Sequence, residues 1–182
     1  LKIFEAATAL FSENTYEQVK ISDICRRANV SIGNFYYYFK AKEDIINEGY
    51  RDFDIYIRDR WDEYAKVSTS ESILFLIRHQ LFKISENGSM YATHFFKNQL
   101  SNKNKYILDK NRCFYQTLLE VVTEGLKKGD FPAAPSAEEI TDSILRHSRG
   151  TIYDWCLHEG SYDVIEQGIA DITNLLKSFG LK

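Results

Sequence analysis

The chain has 182 residues, 44% of them hydrophobic and 27% charged, a balance that suits a folded globular protein with a sizeable core rather than a disordered one. Its formal net charge of −3 exerts no global pull toward nucleic acid, so any such activity must rest on a local site. Apolar runs such as SILFLI are too short to span a bilayer as a helix, and three cysteines without a CxxC pair suit a reducing compartment; no membrane partner and a cytoplasmic location are expected.

Almost every segment carries the 3.6-residue period. Ile3, Phe4, Ala7, Leu10 and Phe11 form the apolar stripe of a first helix, which SENTYE ends. Since the chain begins inside this pattern without Met, a preceding piece is expected. Ile21, Ile24, Cys25 and Ala28 follow i, i+3, i+4, i+7, the spacing of a short second helix. NVS and the tyrosine stretch come next, then a long pattern over about 42–65 with Ile46, Tyr50, Phe53, Ile57, Trp61 and Tyr64 on one stripe. Further helices are predicted at about 70–86, 89–100, 104–128, 136–158 and 161–179, broken at ENGS, SNKN, KGDFPAAPS and HEGS. Ser136 with Glu139 three residues later reads as a capping box. No strand-like alternation or fixed repeat stands out, so the expected class is all-α. Short helices before about residue 45 suit a recognition module, and the longer ones over 46–182 suit a bundle with an interior.

The stretch VSIGNFYYYFKAKEDI, residues 30–45, carries the functional signal. Neighbours on a helix point about 100° apart, so three adjacent tyrosines cannot share one core. Asn29 suits a left-handed helix end, Val30 can return to the core and Ser31 can cap the next helix. On the wheel Phe35 and Phe39 share one side, Gly33 and Tyr37 lie opposite, Asn34 and Tyr36 flank that outer side, and Tyr38 lies between; Ile32 tilts toward the core. An exposed glycine costs a helix roughly 1 kcal/mol against alanine, and it makes sense where something approaches the backbone closely. A major-groove floor is such a partner. Asn34 can then pair with base edges, tyrosine hydroxyls can donate to phosphates, and Lys40 and Lys42 lie where the chain leaves the groove.

Residues 3–48 closely resemble the DNA-binding domain of the tetracycline-repressor (TetR) family of bacterial regulators. The matching features are a first helix ending in LF, the approach to DI, the A-x-V-S-x-G turn and the closing FYYYFKAKED. The resemblance implies a homodimer with one helix-turn-helix per subunit and a variable C-terminal domain that binds a small molecule. It implies that Ser31, Ile32, Gly33, Asn34, Tyr36 and Tyr37 meet bases or the nearby backbone, and that Lys20, Tyr38 and Lys42 hold phosphates of a double-stranded DNA operator. Departures are Ser22 where relatives often have Arg, Asn29 where Gly is frequent, and Ile32 where a polar or basic residue is common. Residues 1–50 hold six Lys/Arg against seven Asp/Glu, without the usual positive surplus.

The C-terminal segment is rich in aromatic residues. Phe75, Phe82, Tyr91, Phe95, Phe114 and Tyr153, with His79 and Asn98 as polar interruptions, are the candidate lining of a pocket for an apolar or aromatic effector. Ile144, Thr151, Trp155 on one late helix and Ile165, Ile169, Ile172, Leu176 on the other are candidates for a four-helix dimer interface, with Gly150 and Gly168 permitting close approach. His147, Cys156 and His158 match no zinc spacing, and no nucleophile–base set or phosphate loop is present, so neither a metal, a cofactor nor catalysis is expected. The expected function is a ligand-responsive repressor whose fourth helix links pocket to reading head. An activator, and a helical scaffold whose head no longer engages DNA, remain as alternatives.

Overall fold

The computed structural model describes residues 2–64, 67–101, 103, 105–132 and 135–181, without the side chains of 62–64. Among these residues the chain is helical and holds no strand: α1 (Lys2–Glu13), α2 (Ile21–Ala28), α3 (Ile32–Tyr38), α4 (Lys42–Tyr64), α5 (Thr69–Ser101), α6 (Cys113–Lys128), α7 (Ala137–Leu157) and α8 (Val164–Ser178). The Tyr64 side chain and Ala65, assigned above to the fourth helix, lie outside the described residues.

Local chemistry sets most boundaries. Asn29 adopts the left-handed conformation (φ 53°, ψ 50°) that ends α2, and the Val30 N–H donates to Cys25 O at 3.0 Å. Ser31 Oγ accepts from the Asn34 N–H at 3.1 Å and starts α3. The capping box at Ser136 and Glu139 forms as expected, with Ser136 N–H donating to Glu139 Oε2 at 2.9 Å. Asp163 Oδ1 accepts from Ile165 and Glu166 N–H, which starts α8 three residues later than the periodicity suggests.

One expectation is met and one is corrected. The break predicted at ENGS is present: α5 consists of two helices joined across Gly88, whose backbone is non-helical (φ 81°, ψ 165°). The helix predicted from residue 104 starts only at Cys113, preceded by a 3-10 turn over Tyr106–Leu108. The reason is a set of side-chain bonds that compete with helix formation. Gln99 Oε1 accepts from the Ile107 N–H at 3.1 Å, and Asp109 Oδ1 accepts from the Asn111 N–H at 2.9 Å.

The apolar side chains form two clusters. One joins α1–α3 to the start of α4 and the end of α5 through Phe11, Ile24, Phe35, Ile46, Tyr50, Tyr91 and Phe95. The other fills the bundle of α4–α8 through Ile57, Leu76, Leu81, Leu118, Ile144, Ile152 and Ile172. The clusters meet on α4 between Tyr50 and Phe53, and on α5 beyond the Gly88 kink. These two helices are therefore shared by the head (α1–α3) and the body.

Candidate nucleic-acid interface and cavity

Helix α3 divides as its wheel predicts for the phenylalanines and tyrosines. Phe35 is fully buried, packed edge-to-face on Tyr36 and tilted against Phe39. Tyr36, Tyr37 and Tyr38 are 54%, 81% and 65% exposed. Ser31, Gly33 and Asn34 are exposed beside them. Ile32 is 53% exposed, against the inward tilt its wheel position suggests, whereas Phe35 is fully buried. A Cβ on Gly33 would meet only Ser31 Oγ, at 3.8 Å. Among the described residues nothing requires glycine there, which leaves close approach from outside as its physical use.

Lys20 is exposed, at the N-terminus of α2, where its N–H donates to Asp23 Oδ2 at 3.1 Å. Lys42 is placed differently from its expected phosphate role. Its ammonium donates to the carbonyls of Tyr16 and Val19 and lies 3.8 Å from the Tyr16 ring centroid, and burial pushes its pKa down. It ties α4 to the loop between α1 and α2, leaving one N–H for any outside partner. Exposed Lys20 and Lys40 make no ion pair among the described residues, whereas Arg26 shares its guanidinium with Asp23 at 2.9 Å.

Head and body enclose a cavity of about 390 Å³. Its wall takes Phe4 and Thr8 from α1, Tyr50 and Phe53 from α4, Gln80, Lys83, Ile84 and Asn87 from α5 before the kink, Tyr91, Phe95 and Phe96 beyond it, Arg112 ahead of α6, and Arg149 and Ile152 from α7. Gln80, Lys83, Ile84 and Asn87 follow i, i+3, i+4, i+7, one face of the first half of α5. Of the eight sequence-predicted lining residues, Tyr91 and Phe95 reach this wall. Phe75, His79 and Phe82 lie on another face of α5; the His79 ring is tilted against Phe75 (centroids 3.9 Å apart) and Phe82 is 43% exposed. Asn98 is buried as an acceptor for Gln99 Nε2, Phe114 belongs to the bundle core, and Tyr153 is 53% exposed.

Arg112 and Asp54 form a buried bidentate pair, with Nε and Nη2 each 3.0 Å from a carboxylate oxygen, and the guanidinium lies 4.5 Å from the Tyr50 ring centroid. This pair locks α4 to the body. Burial pushes the Tyr50 phenol well above its usual pKa and the Arg149 guanidinium below its own. Tyr91 rises to about 12 through burial and the nearby Asp52 charge.

The expected dimer residues are engaged within one chain. Ile144, Thr151, Trp155, Ile172 and Leu176 are buried there, and Ile165 and Ile169 pack partly against the same bundle core. A Cβ on Gly168 would collide with Leu81 Cδ1, so this glycine serves α8–α5 packing. Gly150 has open space around its Cβ position, and it shares the outer face of α7 with exposed Arg146, Tyr153 and Leu157 at i, i+4, i+7 and i+11.

Residues 3–48 match the family model described as bacterial regulatory proteins, tetR family. The chain is 23% identical over 169 residues to the fatty acid metabolism regulator protein of Bacillus subtilis, covering 91% of this chain and 87% of that one. Its fold is that of Bacillus subtilis FadR solved with stearoyl-CoA (TM-score 0.68, 22% identity, 96% of each chain). A protein from Saccharomonospora viridis solved with choline shares it too (TM-score 0.73, 19% identity, 97% and 94% covered). The matched head over residues 3–48, of the tetR type of bacterial regulatory proteins, and the exposed face of its α3 make this chain a DNA-binding transcriptional regulator, with a helical body whose fold is that of the solved regulators.

Proposed function

We propose that this regulator is a repressor that binds a palindromic operator as a homodimer and releases it when an organic effector fills the cavity between head and body. The observation that carries this reading is the cavity's position: its wall draws on α1 and α4 of the head side as well as α5 and α7 of the body. An occupant there meets both parts, and it biases their relative geometry to the extent that its contacts differ between the two states. In the dimer, two copies of α3 enter successive major grooves about 34 Å apart. The outer face of α7 through Gly150, Tyr153 and Leu157 supplies the two-fold contact, in place of the buried residues of α7 and α8. Tyr37, Tyr36, Asn34 and the Gly33 backbone read the groove, Tyr38, Lys20 and Lys40 hold phosphates, and the protein works in the cytoplasm where its operator lies.

The effector's body is apolar or aromatic, to match Phe4, Phe95, Phe96 and Ile152. The stearoyl-CoA of the Bacillus subtilis relative and the choline of the Saccharomonospora viridis structure suggest an acyl thioester and a quaternary amine as first compounds to try. Arg149, a wall cation with no carboxylate within 4.0 Å among the described residues, favours the anionic one, since Arg112 and Lys83 are already paired with Asp54 and Glu86. The exposed tyrosines and the open space at Gly33 support DNA binding over a scaffold role.

The test is selection of bound duplexes from a random library with ligand-free full-length dimer, followed by titration of the selected duplex complex with stearoyl-CoA and with choline. A palindromic consensus, bound in a salt-sensitive way and released by the thioester, is expected. No enrichment at low salt with a folded dimer would overturn the operator reading.

A further inference from the structure

Three polar groups on the cavity wall make little or no use of their bonding capacity among the described residues. The hydroxyl of Tyr50 and Oγ1 of Thr8 are buried without a hydrogen-bond partner among the described residues. Buried hydroxyls are normally paired, so each marks a place where a partner belongs. Arg149 is the third. Its guanidinium makes one long bond, Nη1 to Ile107 O at 3.5 Å. It has no carboxylate within 4.0 Å among the described residues.

Arg112 on the same wall is the contrast, since Asp54 closes both its nitrogens. Asp142, which acts on Arg149 from beyond that range, is already bonded to Lys110 at 2.9 Å and Tyr115 at 3.2 Å. Arg149 and Tyr50 line the same cavity as Thr8. Thr8 is on α1, Tyr50 on α4 and Arg149 on α7, so the three come from both sides of the junction.

We infer that the cavity is an organic-anion site that bridges head and body, its anion held by Arg149 and its acceptor atoms by the hydroxyls of Thr8 and Tyr50. The inference rests on the reading that the cavity holds the effector, and it adds both the charge and the handles. An anion there completes three groups that the chain leaves unsatisfied. It also bonds α1 directly, so the head feels the ligand without relay through the body. A neutral molecule of the same body fills the apolar part of the wall and leaves Arg149 unpaired.

The test uses full-length protein freed of bound ligand and two fluorescent probes, anionic 8-anilinonaphthalene-1-sulfonate and neutral N-phenyl-1-naphthylamine. Both should bind once per subunit. Arg149→Gln should weaken the sulfonate about tenfold and leave the neutral amine unchanged, with Arg149→Lys restoring part of the loss. Thr8→Val/Tyr50→Phe should weaken the sulfonate about fivefold and abolish the probe's protection of α1 amides in hydrogen exchange. The phenylalanine keeps the ring on Arg112, so this pair tests the idea even if Arg149→Gln does not fold.

Unchanged sulfonate affinity in both variants, with the neutral amine still bound, would overturn the anion bridge while leaving the cavity as an effector site. Absence of binding by either probe would remove the cavity as a ligand site, and the effector reading with it.

Discussion

The tyrosines of α3 and those of the cavity face opposite ways, and the neighbouring glycines differ accordingly. On α3 the three tyrosines are more than half exposed, and Gly33 has empty space where a side chain would go. In the cavity Tyr50 and Tyr91 are 6% and 5% exposed, and a Cβ on Gly49 would meet the Tyr91 hydroxyl at 2.9 Å. The same residue types thus mark two kinds of partner. Outward tyrosines around an uncrowded glycine prepare a surface for something that arrives from outside, whereas an inward tyrosine with an unpaired hydroxyl prepares an interior for something that enters. Gly168 against Leu81 and Gly150 with open space repeat the contrast inside the body.

The largest test of this division is Phe35→Ala, which empties the centre of the head. A fully buried phenylalanine packed on two aromatic neighbours should cost about 3–5 kcal/mol, read as loss of the head's unfolding transition in denaturant. A cost below about 1 kcal/mol would mean that α3 is not anchored as described.

Gly168→Ala should cost about 1–3 kcal/mol, because Leu81 has to move inside a packed bundle. Gly150→Ala should raise the stability of the single chain by up to about 1 kcal/mol through helix propensity and weaken the dimer instead, measured by sedimentation. Equal effects at the two glycines would erase the distinction between inner and outer faces of these helices.

Tyr37→Ala sharpens the comparison from the other side. Its side chain is 81% exposed, so unfolding should shift by no more than about 0.5 kcal/mol while operator affinity falls roughly tenfold.

A smaller effect is expected from pH. His94 is buried on α5, and its Nε2 accepts from the Tyr16 N–H at 3.0 Å, a bond that needs the neutral ring. Burial lowers its pKa below the ordinary 6.5, outweighing Glu17, while Lys97 and Lys42 act in the same direction as burial. The unfolded chain therefore takes up a proton first as pH falls. Stability should be fully present above about pH 6.5 and decline below it toward the folded value, and His94→Gln should flatten the slope of melting temperature against pH.

Much of the head was legible in the sequence because its determinants are local. The Asn29 turn, the Ser31 cap and the split of Phe35 from Tyr37 each depend on residues within four positions, and the capping box at Ser136 is of the same kind. The cavity is different. It takes its wall from α1, α4, α5 and α7 and the segment before α6, and the non-helical Gly88 resets the phase between the two halves of α5. Aromatic content alone therefore selected Phe75, Phe82 and Phe114, which face elsewhere, and passed over Tyr50, Arg112 and Arg149. One sequence signal did point to Arg149: it interrupts the apolar series Leu145, Arg149, Ile152 at i, i+4, i+7, where a charge needs a reason. For the dimer face, the apolar stripes of α7 and α8 describe how those helices bury themselves within one chain, and exposed residues around Gly150 carry no comparable pattern.

The most direct test of the whole account is Gly33→Ala, measured twice in the same preparation: unfolding free energy and affinity for the selected operator. With only Ser31 Oγ nearby at 3.8 Å, the added methyl should raise stability by up to about 1 kcal/mol through helix propensity. It should at the same time weaken DNA binding by blocking close approach to the groove floor. Stability up and affinity down would place the partner of α3 outside the chain, on DNA. Unchanged affinity with higher stability would contradict the claim that this face exists to meet the groove.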